Sequence, residues 1–384
     1  MLYESARLAD FSFSELPPGR KRMDSSFLIL VLILLTMGVI MVLSSSYARA
    51  YYDPGSVTGG DPVYFFVRQL VYALFGTAVM IGVSFVPLSV YKKYAFYILG
   101  GVLLLLLLVP FIGVKANGAR RWIGVGGLTV QPSELAKLAV IISFSAMICK
   151  NKTGMRTVRY GIIPFASVIA VVIGLLVLEP HFSASIIIAA IGGIMMFLGG
   201  VRLIWFAAAF LTAGGAITVL LTLFPYASER ITTWRDPFAS SSDEGYQIIQ
   251  SLYSIGSGGL SGLGLGRSRQ KFLYLPEEHN DFIFSVLCEE MGFIGAALVI
   301  ILFSLLILRG YWIALHCGDA FSFLVCAGIS SLLAVQVFLN IAVVTNLIPC
   351  TGISLPFFSY GGTALMLELF EMGIILSASR EIIF

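Results

Sequence analysis

The sequence predicts an all-α integral membrane protein, a polytopic bundle of about ten transmembrane helices. Of its 384 residues, 58% are hydrophobic and only 12% are charged, whereas a soluble domain carries about a quarter charged residues. The apolar residues also fall into blocks of about 20, which is the length a helix needs to cross a bilayer. Only short polar breaks separate most of these blocks.

A polar tail precedes the first apolar segment. Residues 1–26 contain Arg20-Lys21-Arg22, and the apolar run after them has no small-residue cleavage site soon afterwards. This pattern predicts a cytoplasmic tail and an uncleaved first helix, followed by a single transmembrane domain over residues 27–384. Its predicted spans are residues 27–46, 69–88, 94–112, 133–149, 161–178, 182–199, 203–224, 282–308, 319–345 and 358–378.

Basic residues in the short breaks set the orientation of the bundle. The balance favours both termini in the cytoplasm, since basic residues of the opposite breaks are interleaved with Gly, Trp and polar residues. The connection of residues 225–281, between predicted helices 7 and 8, is then a large extracellular loop. The breaks placed inside contain Lys92, Lys93, Lys150, Lys152, Arg156, Arg159, Arg202 and Arg309.

The large loop is too long to be an idle connection. Apolar residues at 248, 249, 252 and 255 have helical spacing, and they predict a short amphipathic helix at the membrane surface. The glycine-rich stretch 256–266 has two interpretations. Its backbone amides could bind phosphate, or it could form a tight turn against a neighbouring segment.

The loop ends in a charged segment directly before a hydrophobic helix. Charge at the mouth of a membrane helix is often functional, but Asp is also a favoured residue at a helix N-cap. On these residues alone, both interpretations of Asp281 stay open. The charged residues of the segment are Lys271, Glu277, Glu278, His279 and Asp281.

A second outer loop carries Arg120 and Arg121. As a forked pair they suit phosphate or pyrophosphate, although snorkelling toward lipid headgroups would also explain them. Glu134 lies at the start of the fourth predicted helix, and Lys137 lies one turn deeper on the same face. These two residues form either an internal ion pair or a cation site for an anionic ligand.

The last outer break, residues 346–363, contains two prolines and three glycines. Such a segment cannot form a continuous helix. Irregular backbone at membrane depth is tolerated where it is covered by protein or lines a wet cavity. The segment therefore predicts a cavity that opens to the outside.

Other cofactor classes find no support in the sequence. The five cysteines form no CxxC pair and the three histidines are scattered, so neither a disulfide framework nor a metal cluster is predicted. No Walker motif occurs, and we therefore expect no nucleotide. We also expect no nucleic-acid partner.

Several motifs occur together in order: Asn117-Gly-Ala-Arg-Arg-Trp-Ile123, Gln131-Pro-Ser-Glu-x-x-Lys137, Leu275-Pro-Glu-x-His-x-Asp281 and Ser359-Tyr-Gly-Gly362. From about residue 27 onward, the chain resembles the SEDS family (shape, elongation, division and sporulation). The stretch 346–360 is more similar to its FtsW and SpoVE members than to RodA. The turn Glu179-Pro-His-Phe-Ser-Ala-Ser185 departs from the Gln-Pro-Asp-hydrophobic-Gly-Thr of many relatives, so its role stays open.

The resemblance implies a ten-helix protein of the bacterial cytoplasmic (inner) membrane with both termini cytoplasmic. It implies a peptidoglycan glycosyltransferase that polymerises lipid II, the undecaprenyl-pyrophosphate-linked disaccharide peptide, among membrane lipids and beside a class B penicillin-binding protein. The family's essential acid falls on Asp281, the candidate general base. The candidate substrate-binding residues are Arg120, Arg121, Glu134, Lys137, Lys271, His279 and Ser359.

The chemistry and its alternatives follow from this resemblance. A base must take the sugar hydroxyl proton, and cations must stabilise the departing pyrophosphate. A divalent cation, Mg²⁺ or Mn²⁺, is therefore a candidate cofactor. The alternative function is a lipid II flippase or other lipid-linked sugar transporter, and a third is a non-catalytic division scaffold. The sequence leaves open whether division, elongation or sporulation is served.

Overall fold

The computed structural model describes residues 23–52, 58–116, 119–125, 128–209, 211, 232–239 and 243–382. Within these ranges the chain is mainly helical, and its strands are confined to one short stretch. The helices are α1 (Ser25–Tyr52), α2 (Tyr64–Val83), α3 (Leu88–Ile112), α4 (Pro132–Lys150), α5 (Val158–Gly161), α6 (Ile163–Leu178), α7 (Phe182–Leu198), α8 (Asp243–Gly258), α9 (Ile283–Leu315), α10 (Ala320–Val344) and α11 (Gly362–Ser379).

These helices confirm the predicted fold class. Eight stretches, with α5 and α6 counted as one, are long and apolar enough to cross a membrane, and α7 is a shorter apolar helix of 17 residues. The predicted span 203–224 lies mostly outside the described residues, although 203–209 is helical. The total of about ten spans therefore stays a prediction.

Three helices form the centre of the bundle. Most side chains of α4, α10 and α11 are buried by neighbouring helices, whereas those of α2, α3 and α6 are largely exposed. Many exposed side chains are large and apolar, such as Leu74 of α2 and Tyr97 of α3. Because lipid is the solvent around a bundle of spanning helices, its outer helices can carry such residues. The central helices are held by protein contacts instead.

The first and last helices meet on one face of the bundle. Asp24, just before α1, accepts a hydrogen bond from Arg309 Nη2 of α9 at 2.7 Å. The main-chain N–H of Asp24 donates to Ser379 Oγ, at the end of α11, at 3.1 Å. Roughly 25 Å of helix separate Arg309 from the kink of α9 at Gly292, at 1.5 Å per residue. This part of α9 therefore lies toward the face opposite Asp24 and Ser379.

The loop between α3 and α4 folds into a small antiparallel sheet, which the sequence analysis missed. Strand β1 (Val114–Ala116) pairs with β2 (Ala119–Val125), and β2 pairs with β3 (Leu128–Val130). A signal was present, because Asn117-Gly118 lies between β1 and β2 and Asn-Gly is a strong hairpin sequence. The consequence is that consecutive side chains of β2 point to opposite faces of the sheet.

Helix α8 confirms the short helix predicted in the large loop. Its serines bond to the protein: Ser251 Oγ donates to Val344 O at 2.7 Å, and Ser254 Oγ donates to Ser285 O at 3.0 Å. This side of α8 is therefore fixed against the start of α9 and the end of α10. A location at the membrane surface stays a prediction.

The glycine-rich stretch after α8 packs against a kink in α9. Gly292 has a φ of 67° within the helix, a conformation that glycine adopts without strain. At this kink, Leu263 N–H donates to Glu289 O and Gly264 N–H donates to Glu290 O, both at 2.9 Å. Because these amides are used within the protein, the structure supports the tight turn over the phosphate loop.

Candidate active site

The charged segment before α9 and the broken segment after α10 lie side by side. Asn340 of α10 connects them, because its Nδ2 donates to Asp281 O at 2.8 Å and to Ile353 O at 2.7 Å. The N-cap position of α9 is Phe282, and no side chain caps it. The structure therefore does not support the interpretation of Asp281 as an N-cap.

Ser359 makes a second connection between the same segments. Its hydroxyl donates to Asn280 O at 2.8 Å and accepts from Leu355 N–H at 2.7 Å. The next residue, Tyr360, donates its N–H to His279 O at 2.9 Å. The Ser359 proton is therefore used to hold the residue before Asp281. Contact between Ser359 and substrate stays a prediction.

The carboxylate of Asp281 is half-buried and faces Gly352 of the broken segment. A Cβ added at Gly352 would lie 3.2 Å from Asp281 Oδ2, and the φ of Gly352 is +64°. Burial raises the pKa of Asp281 to about 6; Glu277 raises it further, while His279 and Arg121 oppose the rise. Such a pKa suits a general base, because the group is ionised at neutral pH yet still takes up a proton readily.

The structure separates the two arginines that were predicted to act as a forked pair. They are consecutive on β2, so their side chains leave opposite faces of the strand. Arg121 is half-buried, and its Nη2 donates to Pro180 O at 2.6 Å. Arg120 is exposed, and its Nη1 donates to Pro110 O at 2.9 Å. Of the two, Arg121 is the arginine that interacts electrostatically with Asp281.

Glu134 and Lys137 form the predicted ion pair within α4. Lys137 Nζ lies 2.6 Å from Glu134 Oε2, and the lysine side chain is only 2% exposed. Glu134 also lines a cavity of about 210 Å³ between α2, α4 and α11. The ion pair is confirmed, whereas binding of an anionic ligand by Lys137 stays a prediction.

The turn between α6 and α7 forms a further wall, whose place in the site the sequence analysis left open. Arg121 bonds to Pro180 O, and Ser183 Oγ donates to Thr351 O of the broken segment. His181 Nε2 lies 3.4 Å from Gln131 Nε2, at the start of α4. The turn therefore contacts the sheet, α4 and the broken segment at once. In the sequence, the one indication that this turn belongs to the site was that residues 179–185 depart from the motif of many relatives.

Comparison with known proteins shows which family this chain belongs to. The sequence model of the FtsW/RodA/SpoVE family, described as "Cell cycle protein", matches residues 24–382. This chain belongs to the FtsW/RodA/SpoVE family. The expected SEDS membership is thereby confirmed.

Curated relatives and solved structures match almost the whole chain. Stage V sporulation protein E of Bacillus subtilis is 39% identical and covers 93% of this chain and 97% of its own length. A probable peptidoglycan glycosyltransferase FtsW of Coxiella burnetii is 37% identical, with coverage of 93% and 96%. A chain from the structure titled "Structural coordination of polymerization and crosslinking by a peptidoglycan synthase complex" has a TM-score of 0.78 at 29% identity and covers 93% and 98%. RodA of Thermus thermophilus has a TM-score of 0.66 at 28% identity, covering 93% and 97%.

This FtsW/RodA/SpoVE family member holds Lys271 in a buried ion pair. Lys271 Nζ lies 3.0 Å from Glu290 Oε1, and the two side chains are 4% and 0% exposed. Ser44 Oγ of α1 donates to the same carboxylate at 2.6 Å. Lys271 thus ties the charged segment to α9 and α1. Contact between Lys271 and phosphate stays a prediction.

The two carboxylates that organise the charged segment, Glu289 and Glu290, were missed by sequence reasoning. Glu289 accepts from Arg269 N–H at 2.9 Å and from Ser254 Oγ at 3.1 Å. Glu290 accepts from Lys271. The signal was available, because two adjacent acids inside a membrane helix require partners.

His279 lies among aromatic rings and beside a buried carboxylate. Its ring centroid is 4.8 Å from that of Phe65 and 5.9 Å from that of Tyr360. Nδ1 of His279 lies 3.7 Å from Glu278 Oε1, which also accepts from Arg49 Nε at 2.9 Å. These contacts fix His279 next to the Asp281 segment, and its contact with substrate stays a prediction.

A resident metal ion does not fit the described residues on their own. No group of three or more His, Cys, Asp or Glu gathers among them at positions that could hold a metal. Arg121, the charged neighbour of Asp281 on β2, is a cation. Use of a divalent cation by this site stays a prediction.

Proposed function

We propose that this chain polymerises lipid II into glycan strands at the outer face of the bacterial cytoplasmic membrane. The chain is a peptidoglycan glycosyltransferase, the activity for which its FtsW relatives are named, and it matches them over nearly their full length. The observation that carries the proposal is the half-buried carboxylate of Asp281. It lies at the end of the charged segment, at the mouth of α9, and faces Gly352 of the proline-broken segment.

In the proposed reaction, Asp281 is the general base. The 4-hydroxyl oxygen of one sugar forms a bond to the anomeric carbon of the next, and its proton moves to Asp281. The bond from that carbon to the lipid pyrophosphate breaks, and the electron pair leaves with the pyrophosphate. Arg121 supplies a cation for this leaving group, supported by its electrostatic interaction with Asp281. Lys137 and Arg120 are secondary candidates for stabilising the pyrophosphate. Lys137 is already paired with Glu134, and the side chain of Arg120 leaves the opposite face of β2 from that of Arg121.

The proposed membrane arrangement places both termini in the cytoplasm. The contact of Asp24 with Arg309 and Ser379 supports one shared side for the two ends. Lys and Arg in the short breaks support the cytoplasm as that side. The Asp281 site then faces outward, where a lipid-linked substrate would enter from the membrane.

A class B penicillin-binding protein is the proposed partner. The structural neighbour with the TM-score of 0.78 comes from a complex whose title couples polymerisation to crosslinking. Mg²⁺ or Mn²⁺ is proposed only as an additional stabiliser of pyrophosphate charge. Addition of EDTA to the assay below checks this requirement.

The test is glycan polymerisation by the purified chain with its penicillin-binding partner and lipid II, the partner carrying a disabled transpeptidase site. Asp281→Asn is expected to lower the rate about 10²–10⁴-fold, as loss of a general base does. Asp61→Asn is the matched control, because Asp61 is an exposed outer aspartate that bonds Val63 N–H at 3.0 Å. Robust polymer from Asp281→Asn would exclude Asp281 as the base. No polymer from the native complex would favour transport or scaffolding, and lipid II flipping in vesicles would separate those two.

A further inference from the structure

The turn between α6 and α7 carries an acid that the proposed reaction does not use. Glu179 is 1% exposed, and among the described residues neither of its carboxyl oxygens has a hydrogen-bond partner. A buried polar group without a partner is costly and calls for an explanation. Burial also disfavours its charged form.

The nearest charge to consider is Arg121. Its guanidinium donates to the carbonyl of Pro180, the residue next to Glu179, while its Nε is buried without a partner in the described part of the chain. Arg121 interacts electrostatically with both Asp281 and Glu179. Both carboxyl groups thus act electrostatically on one half-buried cation.

We propose that Glu179 is a positioning residue for Arg121. When Glu179 is uncharged it does not attract the guanidinium, which can then interact with Asp281 and with the leaving phosphate. Once ionised, Glu179 competes for the same cation and adds a negative charge to a site that must bind an anion. This inference rests on the proposed function for its effect on catalysis. Its effect on the charge of Arg121 and Glu179 does not depend on that function.

The surrounding groups support an uncharged Glu179 near neutral pH. Burial raises the pKa of Glu179 to about 8, with Arg121 opposing the rise. Burial, Arg121 and Lys137 together lower the pKa of His181 to about 3, so this neighbour stays neutral. Lys137, which acts on His181, is paired with Glu134 on α4, and Asp281 acts on the same Arg121 as Glu179 does.

The first experiment measures the pH profile of polymerisation. A group with a pKa of about 8 is about 90% protonated at pH 7 and about 10% at pH 9. Native activity is therefore expected to fall about tenfold over that interval. Glu179→Gln, which stays neutral, is expected to lose this alkaline limb, so that its rates at pH 7 and pH 9 are nearly equal to each other. Glu179→Asp, which can still ionise, is expected to retain it.

The control for this profile is Asp319→Asn at the start of α10, at the end of the bundle remote from Asp281. Asp319 accepts from the N–H groups of Phe321 and Ser322, and Asn is an equally good N-cap. The control should keep the native profile. An alkaline limb that persists in Glu179→Gln, or that disappears in Asp319→Asn, would overturn the proposal. So would a native profile without that limb.

The second experiment is independent of enzyme activity. The folded pKa of Glu179, about 8, lies above its ordinary value of 4.5, so its stabilising contribution is present below about pH 4.5 and is lost as the pH rises toward 8. The unfolding temperature of the native protein should therefore fall relative to that of Glu179→Gln across this window. If the unfolding temperatures of the native protein and Glu179→Gln change in parallel with pH, the proposal that Glu179 is uncharged is overturned. If they diverge as expected but the native protein makes no glycan polymer, only the proposed function is contradicted.

Discussion

The buried pair of Lys271 and Glu290 allows a quantitative test of what Lys271 does. Replacing Lys271 by Met removes the ammonium and leaves the Glu290 carboxylate with Ser44 Oγ and the N–H of Ser268 as its remaining donors. Removing one partner of a buried pair costs about 3–5 kcal/mol. That loss is a large fraction of a typical stability of about 5–15 kcal/mol. We therefore expect a clearly lower unfolding midpoint for Lys271→Met.

The assay combines denaturant or thermal unfolding of the purified protein with the KM for lipid II. Adding Glu290→Gln to Lys271→Met removes the stranded charge, so the double variant is expected to recover much of the lost stability. Arg269→Met is the control, because Arg269 is an exposed cation in the same segment and should change stability by less than about 0.5 kcal/mol. An unchanged unfolding midpoint together with a raised KM would refute the buried-pair reasoning and support phosphate contact.

Three further predictions concern the site itself. With Asp281 as base, kcat/KM should rise about tenfold per pH unit below about pH 6 and level off between about pH 6 and pH 7, before the alkaline fall expected from Glu179. A flat acid limb would contradict that role. Arg121→Ala should lower the polymerisation rate at least about tenfold. Arg120→Ala should leave the rate within about twofold, because its side chain leaves the opposite face of β2 from that of Arg121. Equal effects of the two substitutions would support the interpretation that both arginines bind phosphate as a forked pair. Gly352→Ala should lower activity, because its Cβ would crowd Asp281 Oδ2 and its positive φ costs about 1–2 kcal/mol; wild-type rates would show that the broken segment adjusts freely.

The helical architecture could be predicted from the sequence because hydrophobic span length is a local property. Each predicted segment whose residues are described coincides with a helix, apart from a few residues at the ends. The small sheet between α3 and α4 was missed because its strands β1 and β3 have only three residues each. That omission mattered, since strand alternation separates Arg121 from Arg120.

The candidate site was only partly predictable. The charged segment before α9 and the proline-broken segment after α10 both indicated a site on the outer face. Neither segment indicated which other part of the chain it contacts. Ser359 meets Asn280 across 79 positions of the chain, and Arg121 meets Pro180 across 59. Contacts of that range depend on how the helices pack, which spacing within one segment does not encode.

The sequence by itself determined the membrane class, the family and the position of Asp281, because hydrophobicity and motif order are written along the chain. Only the tertiary structure decided which charges are available to a substrate. Lys271 and Lys137 are both buried in ion pairs, whereas Arg121 is half-buried and interacts electrostatically with Asp281. The physical reason is that a buried charge in this bundle needs a partner. Lys137 finds that partner within its own helix, in Glu134, whereas Lys271 finds it on a different element, in Glu290 of α9.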